Sequence, residues 1–407
     1  MTLQRRLPHD VRVLLLENIH PDANAALSKA GYQVEALDRA LGEDELISRL
    51  AHVDVVGLRS NTHLTAKALE SAPHLLAAGA FCIGTNQIDL PKAAALGVAV
   101  FNAPFSNTRS VVELVIAEIV ALQRGLTDKS RKMHEGLWDK SAKGSHEVRG
   151  RRLGIVGYGN IGSQLSVLAE ALGMSVYFYD TADKLALGNA RVCSSLEELL
   201  EAVDIVTLHV DGRPGNRGLF GDAELRRMRQ GSIFLNLSRG FVVDHGALRA
   251  NIQSGHIAGA AIDVFPTEPK RKDEPFVSEL QGLPNVILTP HVGGSTEEAQ
   301  QDIGRFVAAK LHDYLSLGST SLSVNLPNLV LPPRAGEFRL THVHANVPGV
   351  LAAVNSLFAE HGLNIEGQYL GTRGDVGYVI TDTPSDFPAG VLSRLVEMPS
   401  TIRLRVL

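Results

Sequence analysis

Cysteine is nearly absent: the 407 residues hold two, Cys82 and Cys193. Two thiols cannot build a disulfide framework or a four-thiolate zinc site, and so few suit a reducing, cytoplasmic setting. A surplus of positive charge is also missing. Lys and Arg total 39 against 44 Asp and Glu, a formal net charge of −5. A general binder of nucleic acid or of membrane surfaces needs excess cations for phosphate contacts, so neither partner is expected. Apolar runs are short. Leu114–Leu122 carries Glu118 and falls far below the ~18 residues of a membrane-spanning helix. Met1–Arg6 leads into the brief Val13–Leu16 run, which does not resemble a signal-peptide core with its cleavage site. There is no internal repeat and no low-complexity tract. What remains is a globular balance, 44% hydrophobic and 20% charged, long enough for two or three domains.

Along the first hundred residues, strand-like runs alternate with helical ones. The strand candidates are Val11–Leu16, Gln33–Leu37, Val53–Leu58, Leu75–Phe81 and Val98–Phe101, with a helix over Pro21–Ala30. Alternation of this kind predicts βαβ units and a mostly parallel sheet. A long helix fits Ser110–Arg124, where Val112, Val115, Ile119 and Leu122 recur every three or four residues. A second block gives six strand candidates: Arg152–Val156, Ser175–Tyr179, Asp204–His209, Ser232–Asn236, Gly259–Asp263 and Asn285–Thr289. Ser295–Leu317 is helical again. Ser323–Gly336, dense in Pro and Asn, reads as a linker. Beyond it the order strand, helix, strand, strand, helix, strand predicts a small ferredoxin-like α+β domain, its first helix running from Pro348 to His361. The fold expected is thus α/β, two Rossmann-like doubly wound domains plus that tail. The first domain is expected to be discontinuous, 1–103 with 292–328, around a cofactor domain at 104–291, with the tail at 336–407. A hinge at the two crossovers would close the cleft around the reacting groups.

Gly157-Tyr158-Gly159-Asn160-Ile161-Gly162 turns an apolar strand into a helix. Gly157 allows the tight turn, Gly159 lets a pyrophosphate approach the backbone, and Gly162 lets helix and strand pack closely. The helix start then faces the phosphates with free N–H groups. Asp180 ends the next strand, where a carboxylate accepts the adenosine ribose hydroxyls and repels a 2′-phosphate; Thr181 and Ala182 bring no cation. NAD is therefore expected over NADP.

Three segments follow strand candidates of that sheet and should converge, because parallel sheets bind ligands beyond their strand C-termini. They carry Arg239, Glu268 and His291. Arg239 can hold a substrate carboxylate bidentately. Neutral His291 can take a hydroxyl proton as hydride leaves, and Glu268 can orient the imidazole and stabilise its cation. Each has a plain alternative: a loop ion pair, a turn residue before Pro269, a helix cap. Their succession behind a dinucleotide fingerprint favours 2-hydroxy-acid oxidation.

The segments GYGNIG, LSRG, DVFPTEP and TPHVGGST resemble the D-2-hydroxyacid dehydrogenase family. FCIGTNQIDL (81–90) and FNAPFSNTRSVVELV (101–115) resemble, more narrowly, its members that oxidise D-3-phosphoglycerate to 3-phosphohydroxypyruvate in the first step of serine synthesis. The likeness implies Arg239, Glu268 and His291 as active-site residues. It implies cofactor contacts at Asn160, Ile161, Asp180, Leu237, Ser238, Arg239, Asp263, His291, Val292, Gly293 and Gly294. Arg59, Ser60 and Asn107 are implied substrate contacts, although Asn61 stands where a further basic residue is expected. Other D-2-hydroxy acids, reduction of 2-oxoglutarate, and a NAD-sensing corepressor-like binding protein are the rival readings.

His342 and His344 share one face of a strand, but no third ligand stands nearby, so no metal is expected. The segment from His342 to Leu351 resembles the start of an ACT domain, an amino-acid-sensing module. Similar dehydrogenases bind L-serine there as inhibitor, across a contact between two such domains, which implies His344, Asn346 and Asn364 as ligands. Val347 replaces an expected basic residue. Two contact-making regions would permit a tetramer of two-fold symmetry.

Overall fold

The short apolar runs pair side by side, as their burial on both faces requires. In the computed structural model, which describes residues 7–269, 274–331 and 336–407, the first five strands form one parallel sheet. They are β1 (Arg12–Leu15), β2 (Gln33–Ala36), β3 (Val55–Leu58), β4 (Ala77–Ala80) and β5 (Ala99–Asn102), in the order β2-β1-β3-β4-β5. Every residue of β3, β4 and β5 is buried, as in strands covered by helices above and below.

The second sheet holds β6 (Arg152–Val156), β7 (Ser175–Tyr179), β8 (Arg191–Val192), β9 (Ile205–Leu208), β10 (Ser232–Asn236), β11 (Ile257–Ile262) and β12 (Val286–Leu288). Its order, β12-β11-β10-β9-β6-β7-β8, reverses direction at β6, the crevice where doubly wound sheets bind dinucleotides. The two-residue β8 is a strand beyond the six expected, too short to leave a pattern. Helix Thr108–Arg124 packs Val112, Val115, Ile119 and Leu122 against Leu153, Ile155, Leu235 and Ala261. It stops at Gly125, whose φ of 54° is left-handed.

That helix also buries an acid. Glu118 is 3% exposed, and neither carboxylate oxygen has a hydrogen-bond partner among the described residues. Burial, reinforced by the charge of Asp263, pushes its carboxyl up to about 8. Unfolded, it would release its proton near 4.5. The folded state therefore binds the proton more tightly in between, and stability falls as pH rises through that window. Glu118→Gln, a neutral replacement, should remove a decline of roughly 2–4 kcal/mol. Urea midpoints at pH 5 and pH 9 check this; parallel pH dependence in both proteins would refute it.

The last sheet is antiparallel. β13 (Phe338–Ala345), β14 (Gly367–Arg373), β15 (Val376–Thr383) and β16 (Thr401–Val406) stand in the order β14-β15-β13-β16, the ferredoxin-like arrangement. Helices Val350–Glu360 and Ala389–Glu397 cover one face through Val354, Phe358, Val391 and Leu395. Val343, Tyr378 and Ile380 share a core with Leu311 and Tyr314 of helix Glu297–Leu317.

By internal contacts the chain forms two units, residues 1–106 with 300–407, and residues 107–299. The expected linker is not free at its start. Asn325 is buried and exchanges hydrogen bonds with the backbone of Val98 and Val100, so 323–326 is docked along β5. Its later part, 332–335, lies outside the described residues, as do Met1–Arg6. No described helix is long and apolar enough to cross a membrane.

Candidate active site

The glycine turn is built as its spacing requires. Gly157 has φ 94°, and a Cβ there would lie 2.6 Å from the His209 carbonyl oxygen. At Gly162 a Cβ would meet the Gly157 carbonyl oxygen at 2.3 Å, whereas at Gly159 it would find open space. Gly159 caps helix Asn160–Ala171 without a side-chain bond, leaving first-turn N–H groups for an anion. Asp180, at the tip of β7, accepts from the backbone N–H of Tyr158 (2.8 Å) and of Ala182 (2.9 Å). The charge of Arg213 reaches Asp180, but its guanidinium is forked onto Asp211. A carboxylate with no ion-pair partner among the described residues, beside an open pyrophosphate cradle, fits NAD and disfavours a 2′-phosphate.

Arg239 leaves the end of β10 on a turn shaped by Asn236. That amide, fully buried, accepts from the N–H and Oγ of Ser238 and donates to the Arg239 carbonyl. Gly240 admits the neighbouring chain, since a Cβ would lie 2.0 Å from the Phe265 carbonyl carbon. Arg239 is half-buried, and its Nη1 donates to the Ser238 carbonyl at 2.7 Å.

Glu268 and His291 meet directly, Oε2 to Nδ1 at 2.9 Å, while Glu268 Oε1 accepts from the Phe265 N–H. Burial alone would push the Glu268 carboxyl up. The bond and charge of His291, the Phe265 N–H and the charge of Arg239 outweigh it and hold the group below its ordinary range. The bond to Glu268 raises His291 above its ordinary value, against burial and against the Arg239 cation. The three expected residues are thus electrostatically coupled. With Nδ1 engaged, Nε2 of His291 is the nitrogen left to exchange a substrate proton.

His291 adopts φ 53°, a left-handed conformation uncommon for a residue with a side chain. Asp263 enforces it from beneath. Its carboxylate, 2% exposed, accepts from Thr289 Oγ1, Val292 N–H and Gly293 N–H at 2.7–2.8 Å. Gly293 and Gly294 are tight: a Cβ would lie 3.0 Å from Asp263 Oδ2 and 2.2 Å from Asn107 Nδ2 respectively. Leu237 and Ser238 are buried in the Arg239 turn, and Asn160 and Ile161 open the helix after the glycine turn.

Arg59 and Ser60 belong to the other unit. Their loop is braced by Glu17, which accepts from the backbone N–H groups of Arg59, Asn61 and Thr62, and by Gln87, which donates to the Arg59 carbonyl. The Arg59 guanidinium makes no ion pair among the described residues. Glu17 and Gln87 were invisible in the sequence, because each acts on backbone groups brought near only by folding. Asn236 braces its own turn, two and three residues on, an Asn-turn signal that a local reading could have found.

In the C-terminal sheet His344 is 4% exposed, with Nδ1 near the Ala345 carbonyl and Nε2 without a hydrogen-bond partner among the described residues. Asn346 is exposed at the end of β13, beside Gly374. Asn364 is not there. Ala345 and Arg373 both align with Val376, so Asn364, which precedes β14, stands at the far end, roughly 20 Å away along the strand rise. No three His, Cys, Asp or Glu cluster as metal ligands among the described residues.

The fold and this site define a dinucleotide-dependent dehydrogenase. Residues 116–293 match the NAD-binding domain of the D-isomer specific 2-hydroxyacid dehydrogenases, and residues 340–403 match an ACT domain like that of the AHAS small subunit. D-3-phosphoglycerate dehydrogenase of Haemophilus influenzae is 51% identical over 98% of this chain and 97% of its own length, and that of Escherichia coli K12 is 50% identical over 98% and 97%. Among solved structures, the TT0316 protein of Thermus thermophilus superposes with TM-score 0.70 at 28% identity, covering 77% of this chain and all of its own. The chain belongs to the D-2-hydroxyacid dehydrogenase family, with the D-3-phosphoglycerate dehydrogenases as relatives over nearly its whole length. It is an NAD-dependent oxidoreductase with an ACT domain.

Proposed function

We propose that the protein oxidises D-3-phosphoglycerate to 3-phosphohydroxypyruvate, the first step of L-serine biosynthesis. The observation that carries this is the Glu268–His291 pair coupled to Arg239 in the NAD unit; relatives at about half identity bear that activity in their names. Arg239 holds the substrate carboxylate. His291 Nε2 takes the C2 hydroxyl proton, and Glu268 stabilises the imidazolium that results. NAD, when bound, supplies the hydride acceptor, so the products are the keto acid, NADH and a proton. Arg59 and Ser60 bind the substrate phosphate, and Asn107 supports substrate binding. The neutral Asn61 makes Arg59 the principal cation. Asn160, Ile161, Asp180, Leu237, Ser238, Asp263, Val292, Gly293 and Gly294 contact NAD, and Asp263 holds the loop of His291 as well.

Arg59→Ala should raise KM for 3-phosphoglycerate by about 10–100-fold, the worth of a charged hydrogen-bonded contact. Rates with D-glycerate, D-lactate and 2-oxoglutarate measured beside it complete the test. Equal use of unphosphorylated acids, unaffected by Arg59→Ala, would defeat the phosphate assignment.

The ACT domain binds L-serine as inhibitor through His344 and Asn346 of one chain and Asn364 of another, in a tetramer of two-fold symmetry. The opposite placement of Asn346 and Asn364 on one sheet supports a shared site. Asn346→Ala and Asn364→Ala should each abolish serine inhibition, and co-refolded mixtures should regain part of it, because a mixed pair holds one intact site. No regain in mixtures, with assembly intact, would overturn the shared site. A chain with only two cysteines, too few for a disulfide framework, supports a cytoplasmic location.

A further inference from the structure

The loop leaving β9 carries an acid and a base that the reaction above does not use. Arg213 donates from Nε to Asp211 Oδ1 and from Nη2 to Oδ2, both at 2.7 Å, and its backbone N–H adds a third bond at 3.2 Å. Asn216 Nδ2 donates to the same Oδ1 and to the Asp211 carbonyl, each at 3.0 Å. Between acid and base lies Gly212, where a Cβ would sit 3.3 Å from Nε of Arg239 and 3.9 Å from its Cδ and Cγ. The loop therefore runs along the Arg239 side chain. The bonds from Arg213 chiefly hold the Asp211 carboxyl below its ordinary range, and the charge of Arg239 adds to them.

An aspartate next to a glycine that lies alongside Arg239, and within reach of its charge, is a rival for its guanidinium. A substrate carboxylate asks for the same bidentate donors. We propose that Arg213, aided by Asn216, is a positioning residue: it captures the Asp211 carboxylate and so leaves Arg239 free for the anionic substrate. The pair's side chains are 61% and 57% exposed, and exposed pairs contribute little to stability. Its geometry matters here through which cation Asp211 occupies.

The inference rests on Arg239 as the carboxylate-binding residue, and the experiment separates the two. Arg213→Ala should raise KM for 3-phosphoglycerate roughly three- to tenfold, as Asp211 turns to Arg239, with kcat and the NAD dissociation constant near wild type. Adding Asp211→Asn to that variant removes the rival and should return KM to within about twofold of wild type. Arg239→Lys is measured alongside. If it leaves KM unchanged, the carboxylate assignment falls. If it raises KM while Arg213→Ala does not, only the present inference falls. A double variant as impaired as Arg213→Ala would show Arg213 touching substrate or cofactor itself, and would also overturn the proposal.

Discussion

His291→Ala should lower kcat for NADH formation by about 10²–10⁴-fold, the usual contribution of a positioned acid–base group. NAD binding, followed by calorimetry, should persist, because the glycine turn and Asp180 are untouched. The companion variant is Glu268→Gln. Oxidation needs neutral His291, so its rate falls as pH drops through the imidazole's pKa. The bond to Glu268 raises that pKa above its ordinary value. Removing the carboxylate charge lowers it, so the acid limb of kcat/KM should move to lower pH while turnover falls. Reduction of the keto acid needs the imidazolium and fails as pH rises; that limb should move down as well. Limbs unmoved by Glu268→Gln, or full turnover in His291→Ala, would remove this pair from the chemistry.

The second large effect lies in the C-terminal domain. Arg339 and Asp382 are 1% and 0% exposed and bond twice, Nε to Oδ1 at 2.6 Å and Nη2 to Oδ2 at 2.7 Å. Nη1 of Arg339 donates to the Leu317 carbonyl, at the end of helix Glu297–Leu317. Burying both charges is costly, and the pair is tolerated because each satisfies the other. Asp382→Ala leaves a guanidinium buried without its counter-charge, so it should cost ~3–5 kcal/mol in denaturant unfolding. Adding Arg339→Met should recover part of that, since it removes the buried charge left without a partner. A loss below ~1 kcal/mol would mean the pair behaves like an exposed one. Unit 107–299 should keep its NAD affinity throughout.

Local signals account for most of what was legible. β6, β7 and β10 occupy the residues their patterns predict: β6 and β10 because buried parallel strands are nearly continuous apolar runs, β7 because its buried Val176 and Phe178 alternate with less buried neighbours. The glycine turn was legible since each glycine answers a separate steric demand. β8, with two exposed residues, had no pattern to read. Ser323–Asn325 looked like linker because Pro and Asn signal irregular backbone, yet its polar groups are satisfied along β5. Asp263 also holds the loop that carries His291, through bonds to Thr289, Val292 and Gly293 that its place at a strand end did not announce.

By itself the amino-acid order determined the two wound sheets and the dinucleotide turn, and it singled out Asp180, Arg239, Glu268 and His291 as candidates. These depend on periodicity and on residue chemistry within a few positions. Only the tertiary structure decided the left-handed backbone at His291, the Glu17 brace, the buried Arg339–Asp382 pair and the capture of Asp211 by Arg213. In the chain these partners are separated, or their geometry is unset. Their bonds acquire direction only when the strands fix where each loop begins and ends.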